Sequence, residues 1–312
     1  MGYARLMTER FSGCLLGLAL GDALGAPFEG SPPGEKPLGS PRPLLRYTDD
    51  TEMALGVAES LSEAGGFDPG HMAMKFAANF DPRRGYGPGA AAVLARIREG
   101  VPWLEASRSV FPDGSFGNGA AMRAAPLGLF FHRDGRRLRE AARGASAITH
   151  AHPLAQEGAL LIAWAVSAIL RGRSEGEILQ GLEAEAETAE YREKLRAVKE
   201  LLGKNEDAAA VIARLGNGVE ALRSAPTALY AFLRYGGDYL AAVGFCLSLG
   251  GDTDTIAAMA GALSGAKLGE GALPGEHVQR LEDAGRIRTL AVRLLSGPSP
   301  YGSGAEPSPV PS

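Results

Sequence analysis

With 312 residues, 45% of them hydrophobic and 22% charged, the chain can bury a sizeable core and has the balance of an ordinary globular protein. A net charge of −4 and a pI of 5.8 exclude a protein that binds through a broad basic face, so no direct nucleic-acid partner is expected. Its two cysteines, Cys14 and Cys246, cannot build a disulfide framework; both lie in apolar, helix-like runs, and reduced, buried thiols in a cytoplasmic protein are expected.

Apolar residues recur at three- and four-residue spacing nearly throughout, among many Ala, Leu, Glu and Arg. Alternating β-branched runs are missing, so the pattern predicts an all-α, single-domain multi-helix bundle over residues 1–295. The mixed, charged N-terminus lacks an uninterrupted apolar core, so no secretory leader is expected. The run Phe11–Leu24 is interrupted by Asp22 and falls short of the roughly 20 residues a bilayer span needs, so no membrane partner is expected. Predicted helices cover 8–25, 51–64, 69–80, 88–99, 119–131, 135–147, 153–172, 189–203, 225–234, 236–249, 254–268 and 276–295. Residues 30–46, rich in Pro and Gly, read as a surface loop of the kind that often covers a site. The Pro/Ser/Gly-rich stretch 296–312 reads as a flexible tail. The basic run His132–Arg143 and the acidic run Glu183–Glu193 each read as a solvated helix face.

The first helix carries Gly13, Gly17, Gly21 and Gly25, and the last third of the chain repeats the spacing with Gly261, Gly265 and Gly269. Positions four apart share a helix face, so each helix has a face without side chains. Each glycine costs about 1 kcal/mol against alanine inside a helix, so the string needs a reason. The expectation is that the two helices lie side by side or both abut a site.

The strongest chemistry is a pair of acidic motifs, Tyr47-Thr48-Asp49-Asp50-Thr51-Glu52 and Gly250-Gly251-Asp252-Thr253-Asp254-Thr255, each on a short loop before a helix. Facing one another, they would offer four carboxylates and two or more hydroxyls, the hard oxygen donors that Mg²⁺ prefers and enough for two ions. Taken singly, each also fits plain helix capping; Asp49 and Glu52 have capping-box spacing. The doubling favours cations, because a cap needs one acceptor and crowded carboxylates repel. The histidines lack a His-x-x-x-His zinc pattern, and there is no Walker-type loop or dinucleotide fingerprint. Gly114–Gly119 and Arg84–Gly89 are glycine-rich loops with an aromatic, suited to a phosphate and a base or ribose, or simply to turns.

These motifs together resemble the ADP-ribosylglycohydrolase family, the ADP-ribosyl-acceptor hydrolases related to dinitrogenase reductase-activating glycohydrolase. The resemblance is carried in order by GCLLGLALGDALGAPFEG (13–30), YTDDTEMAL (47–55), DPRRGYGPG (81–89), GSFGNGAAMRAAP (114–126), ITHAHPLA (148–155), SAPTALYAFLR (224–234) and GGDTDTIAAMAGALSGAKLG (250–269). It implies that family's orthogonal multi-helix fold and a binuclear Mg²⁺ centre, with Mn²⁺ as a substitute, on Thr48, Asp49, Asp50, Asp252, Asp254 and Thr255. It also implies catalytic roles for Glu29, Asp49 and Asp254, with Glu29 beside the metals as gate or proton carrier. Contacts to ADP-ribose are implied at Gly85, Tyr86, Gly87, Ser115, Phe116, Gly117, Asn118, Gly119 and His150, with the diphosphate on the amides of 115–119. The implied activity cleaves the ribose C1 glycosidic bond of an ADP-ribosylated protein side chain, O-acetyl-ADP-ribose or ADP-ribose polymer in a monomeric enzyme. The wording of the two glycine loops is closer to the branch acting on O-linked ADP-ribose than to the arginine-specific branch. A non-catalytic ADP-ribose-binding or crystallin-like relative, a metal-dependent phosphohydrolase acting on a nucleotide, and a purely structural helical protein remain open as alternatives. The 30–46 loop departs from the family's pattern.

Overall fold

A computed structural model of the chain describes residues 2–39, 43–204 and 206–297. Among these the regular elements are all helices; the exceptions are two isolated bridges, Leu45 to Leu281 and Gly117 to Glu220. The helices are α1 (Gly2–Gly25), α2 (Asp49–Ala64), α3 (Pro69–Asn79), α4 (Pro88–Arg98), α5 (Trp103–Val110), α6 (Ala125–Phe130), α7 (Gly135–Ala147) and α8 (Pro153–Leu170). They continue as α9 (Glu175–Glu185), α10 (Ala189–Lys204), α11 (Ala208–Arg214), α12 (Ala221–Tyr235), α13 (Tyr239–Ser248), α14 (Thr253–Leu268), α15 (Gly275–Gln279) and α16 (Ala284–Ser296).

The most extensive helix pairing joins α1 to α14. Built Cβ atoms show why it requires glycine: one at Gly13 would strike Gly265 and Gly269, one at Gly17 would strike Gly261, and one at Gly21 would strike Ala257. One at Gly25 would lie 2.5 Å from the Cα of Asp254. As numbers rise along α1 they fall along α14, so the two helices run antiparallel with backbones in direct contact. The expected side-by-side placement is observed. This pairing brings the C-terminal end of α1 to the N-terminal end of α14. The largest apolar cluster gathers around the pair and takes in α2, α6, α7, α8, α12 and α16; a smaller one around Val198, Leu201, Val211 and Leu249 joins α10 and α11 to α12 and α13.

Several boundaries differ from the sequence pattern. α1 begins at Gly2, which makes it long enough, by length and composition, to cross a membrane, as is α8. In the fold 83% and 78% of these two apolar windows are buried inside the protein, so their apolar faces are occupied by packing. The predicted helix 119–131 is a 3-10 turn at Asn118–Ala120 followed by α6, because Pro126 cannot donate a backbone bond and so opens a new helix. The predicted helix 276–295 breaks between α15 and α16, where Asp283 adopts φ 55° and Leu281 pairs with Leu45. Helices α5, α9 and α11 went unpredicted, although α9 opens on a complete capping box, Ser174 with Glu177. The basic and acidic runs partly answer one another: Arg139 pairs with Glu185 and Arg143 with Glu187 across α7 and the end of α9. The 30–46 loop is tied down by Gly30 N–H to Gly251 O (2.8 Å) and Gly34 N–H to Ser248 O (2.8 Å). Its bonded residues lie beside the 248–251 turn, and none of its described residues lines the cleft described below. Most of the predicted tail lies outside the described residues.

Candidate active site

Three helix ends meet at one point: the C-terminus of α1 and the N-termini of α2 and α14. Asp22, one turn before the end of α1 and fully buried, ties them together. Its carboxylate accepts the Thr48 amide (3.0 Å), the Thr51 amide (3.1 Å) and the Thr51 hydroxyl (2.6 Å). Thr48 caps α2, its hydroxyl accepting the Asp50 amide at 3.3 Å and donating to Asp50 Oδ2 at 3.0 Å. The capping box proposed for Asp49 and Glu52 does not form; Glu52 turns away to accept Tyr86 Oη (2.6 Å) and the Asp81 amide (2.9 Å). Capping is thus done by Thr48 and Asp22, which leaves Asp49 and Asp50 for other work.

Across the cleft, Gly250 and Gly251 take φ 63° and 68°, a double left-handed turn that delivers Asp252 to the start of α14. Asp252 makes no cap bond; its carboxylate accepts Asn118 Nδ2. The Thr253 hydroxyl donates to Gly25 O at 2.9 Å, fastening α14 to α1. The Gly30–Gly251 bond holds the segment after α1 against this turn, and Glu29, exposed to solvent, stands beside Asp252 and Asp254.

Two carboxylate groups result, Asp22–Asp50–Asp254 and Glu29–Asp252–Asp254, each with oxygens mutually within 4.8 Å and with Asp254 in both. Among the described residues, no lysine, arginine or histidine is ion-paired to either group. Desolvation raises each of these carboxyls, and that of neighbouring Asp49, above its ordinary value, even for Glu29, which keeps one side open to solvent; Asp22 rises to about 6, Asp49 to about 7 and Asp254 to about 9. Neighbouring carboxylates add to the rise for Asp49, Asp50, Asp254 and Glu29. Asp50 Oδ1 is buried with no hydrogen-bond partner. An orphaned acceptor inside overlapping carboxylate clusters, at the positive ends of two helices, fits divalent cations.

A carboxyl whose folded value lies above its unfolded one is protonated in the folded chain while already ionised in the unfolded chain. Raising the pH strips that proton and weakens folding. Between pH 6.5 and 9 the thermal midpoint of chelator-treated protein should therefore fall as Asp49 and Asp254 ionise. His150, pushed down to about 3 by burial and Arg123, is neutral in the folded chain throughout; only its unfolded-state proton, lost around pH 6.5, opposes the fall, and only at the low edge of the window. Mg²⁺ should remove most of the fall, and a flat midpoint in chelator would contradict the carboxylate assignment.

The cleft above these groups is lined by Glu29, Thr48, Asp49, Asp50, Asp252, Asp254 and Thr255 at its acidic end. Gly85, Gly87, Ser115, Gly117, Asn118, Gly119 and His150 line it further out. All six predicted ligating residues and most of the predicted contacts therefore share one cavity. Tyr86 and Phe116 do not line it: Tyr86 packs edge-on against Phe80 and is held by Glu52, while Phe116 is 55% exposed, edge-on to His152. Their glycine neighbours reach the cleft instead. Of the loop amides, Gly117 N–H is taken by Ser115 Oγ (3.2 Å) and Asn118 N–H by Val219 O (2.9 Å). Sequence reasoning missed Asp22, treated there merely as an interruption of an apolar run, and the cleft residues Met53, Phe111 and Val219. A lone carboxylate in the otherwise apolar or glycine run Gly13–Phe28 was the available signal for Asp22.

Carboxylates crowded at one end of a cleft walled by glycine backbone make this an all-helical protein whose acidic groups could hold metal ions. The family model for ADP-ribosylglycohydrolase matches residues 4–302, and the chain belongs to that family. It is similar to ADP-ribosylhydrolase ARH3 of Gallus gallus, 36% identical over 91% of this chain and 92% of the relative, and of Homo sapiens, 33% identical over 94% of each. A solved structure described as an ADP-ribosylglycohydrolase-related protein complex superposes with a TM-score of 0.75 at 30% identity, covering 94% of this chain and 99% of that one. The protein is accordingly an ADP-ribosyl hydrolase, an enzyme of glycosidic bonds.

Proposed function

We propose that the enzyme releases ADP-ribose by hydrolysing the bond at C1 of the ribose in an O-linked ADP-ribosyl substrate: a seryl protein adduct, O-acetyl-ADP-ribose or the polymer. The observation that carries this reading is the pair of carboxylate groups sharing Asp254 at the end of a glycine-walled cleft. Two Mg²⁺ ions would be held by Thr48, Asp49, Asp50, Asp252, Asp254 and Thr255. When bound, such cations offset the carboxylate charge and act as Lewis acids toward sugar hydroxyls and water.

The chain's own residues do the rest. Asp22 fixes the α2 terminus, and Asn118 fixes Asp252, so the oxygen donors are set before ligand arrives. The absence of side chains at Gly85, Gly117 and Gly119 lets a diphosphate and ribose approach backbone, with the unengaged amides of the 115–119 loop as donors. As the C1 bond breaks, positive charge grows on the ribose ring, and whatever carboxylate charge the cations leave uncompensated favours it. Glu29, whose proton affinity is raised by burial and by Asp252, accepts the proton of the attacking water and returns one to the leaving oxygen. The protein would work as a cytoplasmic monomer.

Purified protein offered seryl-, arginyl- and O-acetyl-ADP-ribose substrates with Mg²⁺ should yield ADP-ribose from the O-linked ones and nothing in chelator. Release from the arginyl substrate alone would reverse the linkage assignment, and cleavage of the diphosphate would replace it with a phosphohydrolase.

A further inference from the structure

Arg123 is 1% exposed, yet among the described residues no carboxylate is bonded to it, and Asp49 acts on it only as a nearby charge. Its Nη1 donates to Gly119 O at 2.9 Å, and its Nη2 donates to Ala145 O and to Thr149 Oγ1, both at 2.9 Å. The guanidinium stacks over Phe76, 4.8 Å from the ring centre. A guanidinium has donors and no acceptor, so Thr149 Oγ1 must accept from it, which leaves the hydroxyl proton to be placed. Among the described residues, the one acceptor within reach of that hydroxyl is Nδ1 of His150, 2.7 Å away. Nδ1 therefore carries no proton, and in a neutral ring the proton is on Nε2. Burial and the Arg123 charge press against a second proton on this imidazole. Nε2 has no protein partner among the described residues. It lies at the cleft wall, 3.3 Å from a Cβ built at Gly117 and 2.8 Å from one built at Gly119.

We infer that Thr149, backed by Arg123, is a positioning residue that holds His150 in the Nε2–H tautomer, aiming one fixed hydrogen-bond donor at a phosphate or hydroxyl oxygen of the ligand beside Gly117 and Gly119. The inference rests on the ADP-ribose reading above for the identity of that ligand, but not for the tautomer. The same guanidinium also grips Gly119 O, so one buried cation sets the loop and the imidazole relative to each other. Without the threonine hydroxyl, the ring could rotate or exchange its proton between nitrogens, and the donor would no longer be fixed.

The experiment is long-range ¹H–¹⁵N correlation on the histidine side chains of the full-length protein, with His150 assigned by its absence in His150→Gln, together with calorimetric titration of ADP-ribose in Mg²⁺. The wild type should show an unprotonated, hydrogen-bonded Nδ1 at His150. Thr149→Val should shift that resonance toward a free acceptor and weaken ADP-ribose binding about tenfold, the scale of one hydrogen bond to a charged group. Thr149→Ser should keep both within twofold of wild type. A protonated Nδ1 in the wild type overturns the inference, and so does a Thr149→Val protein that binds ADP-ribose as tightly as wild type. If Thr149→Val does not fold, the wild-type spectrum alone decides the tautomer. If the wild type binds no ADP-ribose in Mg²⁺, the proposed function fails, while the nitrogen resonances still decide the role of Thr149.

Discussion

Asp254→Ala should lower kcat/KM for ADP-ribose release by at least about a thousandfold, roughly 4 kcal/mol of transition-state stabilisation. Asp254 is the residue shared by both carboxylate groups, so its loss opens both at once. Asp49→Ala should cost activity on a similar scale, Asp49 standing where α2 enters the cleft. The stability consequence runs the other way. Asp254 is buried among carboxylates that raise its proton affinity, and it neutralises no positive charge. A group of this kind strains the metal-free fold, so its removal should leave helical circular dichroism unchanged and the thermal midpoint in chelator equal or higher. The increase in midpoint that Mg²⁺ gives the wild type should be lost in the variant, because ligand-linked stability scales with binding to the native state. Activity within tenfold of wild type, or an undiminished Mg²⁺ shift, would remove Asp254 from the centre. A general loss of fold can be told apart, since it would lower the midpoint with and without the ion.

Much of this was legible in the sequence because the relevant features repeat. Two acidic loops and two glycine ladders announced that distant parts of the chain meet, and their spacing named the faces. The ladders do more than pack: with Gly25 against Asp254, they set the distance between the two acidic loops. What sequence could not supply was which polar groups satisfy one another. Asp49 and Glu52 have the spacing of a capping box, but a carboxylate from another helix, Asp22, took the N-terminal amides instead, and Glu52 was drawn off by Tyr86 and Asp81. Tyr86, an aromatic in a glycine loop, invited a stacking role, yet its hydroxyl found Glu52 and its ring found Phe80. The missed break at Asp283 has the same origin, since that residue accepts the Tyr47 hydroxyl at 2.9 Å from far along the chain. Local pattern fixes which elements form; partner choice among several equally suitable groups is settled by tertiary contacts that leave no periodic trace.

Gly17→Ala should destabilise the protein although it adds a single methyl to a helix. Alanine is worth about 1 kcal/mol over glycine in a helix interior, so propensity alone predicts a gain. Space predicts the reverse. The new Cβ would press into the carbonyl of Gly261, with the Gly261 carbonyl carbon at 3.1 Å and Gly265 Cα at 3.3 Å, and all of these are backbone atoms that no rotamer change can move. Gly17 O also accepts the buried Tyr239 hydroxyl at 2.7 Å, a bond that any shift of α1 would stretch. Overpacking of this kind costs about 1–3 kcal/mol or more, so a net loss of about 2 kcal/mol in chemical denaturation is expected. Gly203→Ala supplies the control: it lies in α10 with open space where its Cβ would go, and it should stabilise by a few tenths to about 1 kcal/mol. The opposite signs of one chemical change at two helical glycines would establish contact between α1 and α14. Because that contact sets how far Asp254 stands from Asp49, Gly17→Ala should also weaken the Mg²⁺-induced rise in thermal midpoint, whereas Gly203→Ala should leave it intact. Equal stability of the two variants would mean that the helices can separate freely, and the acidic loops would then lack the spacer that holds them together.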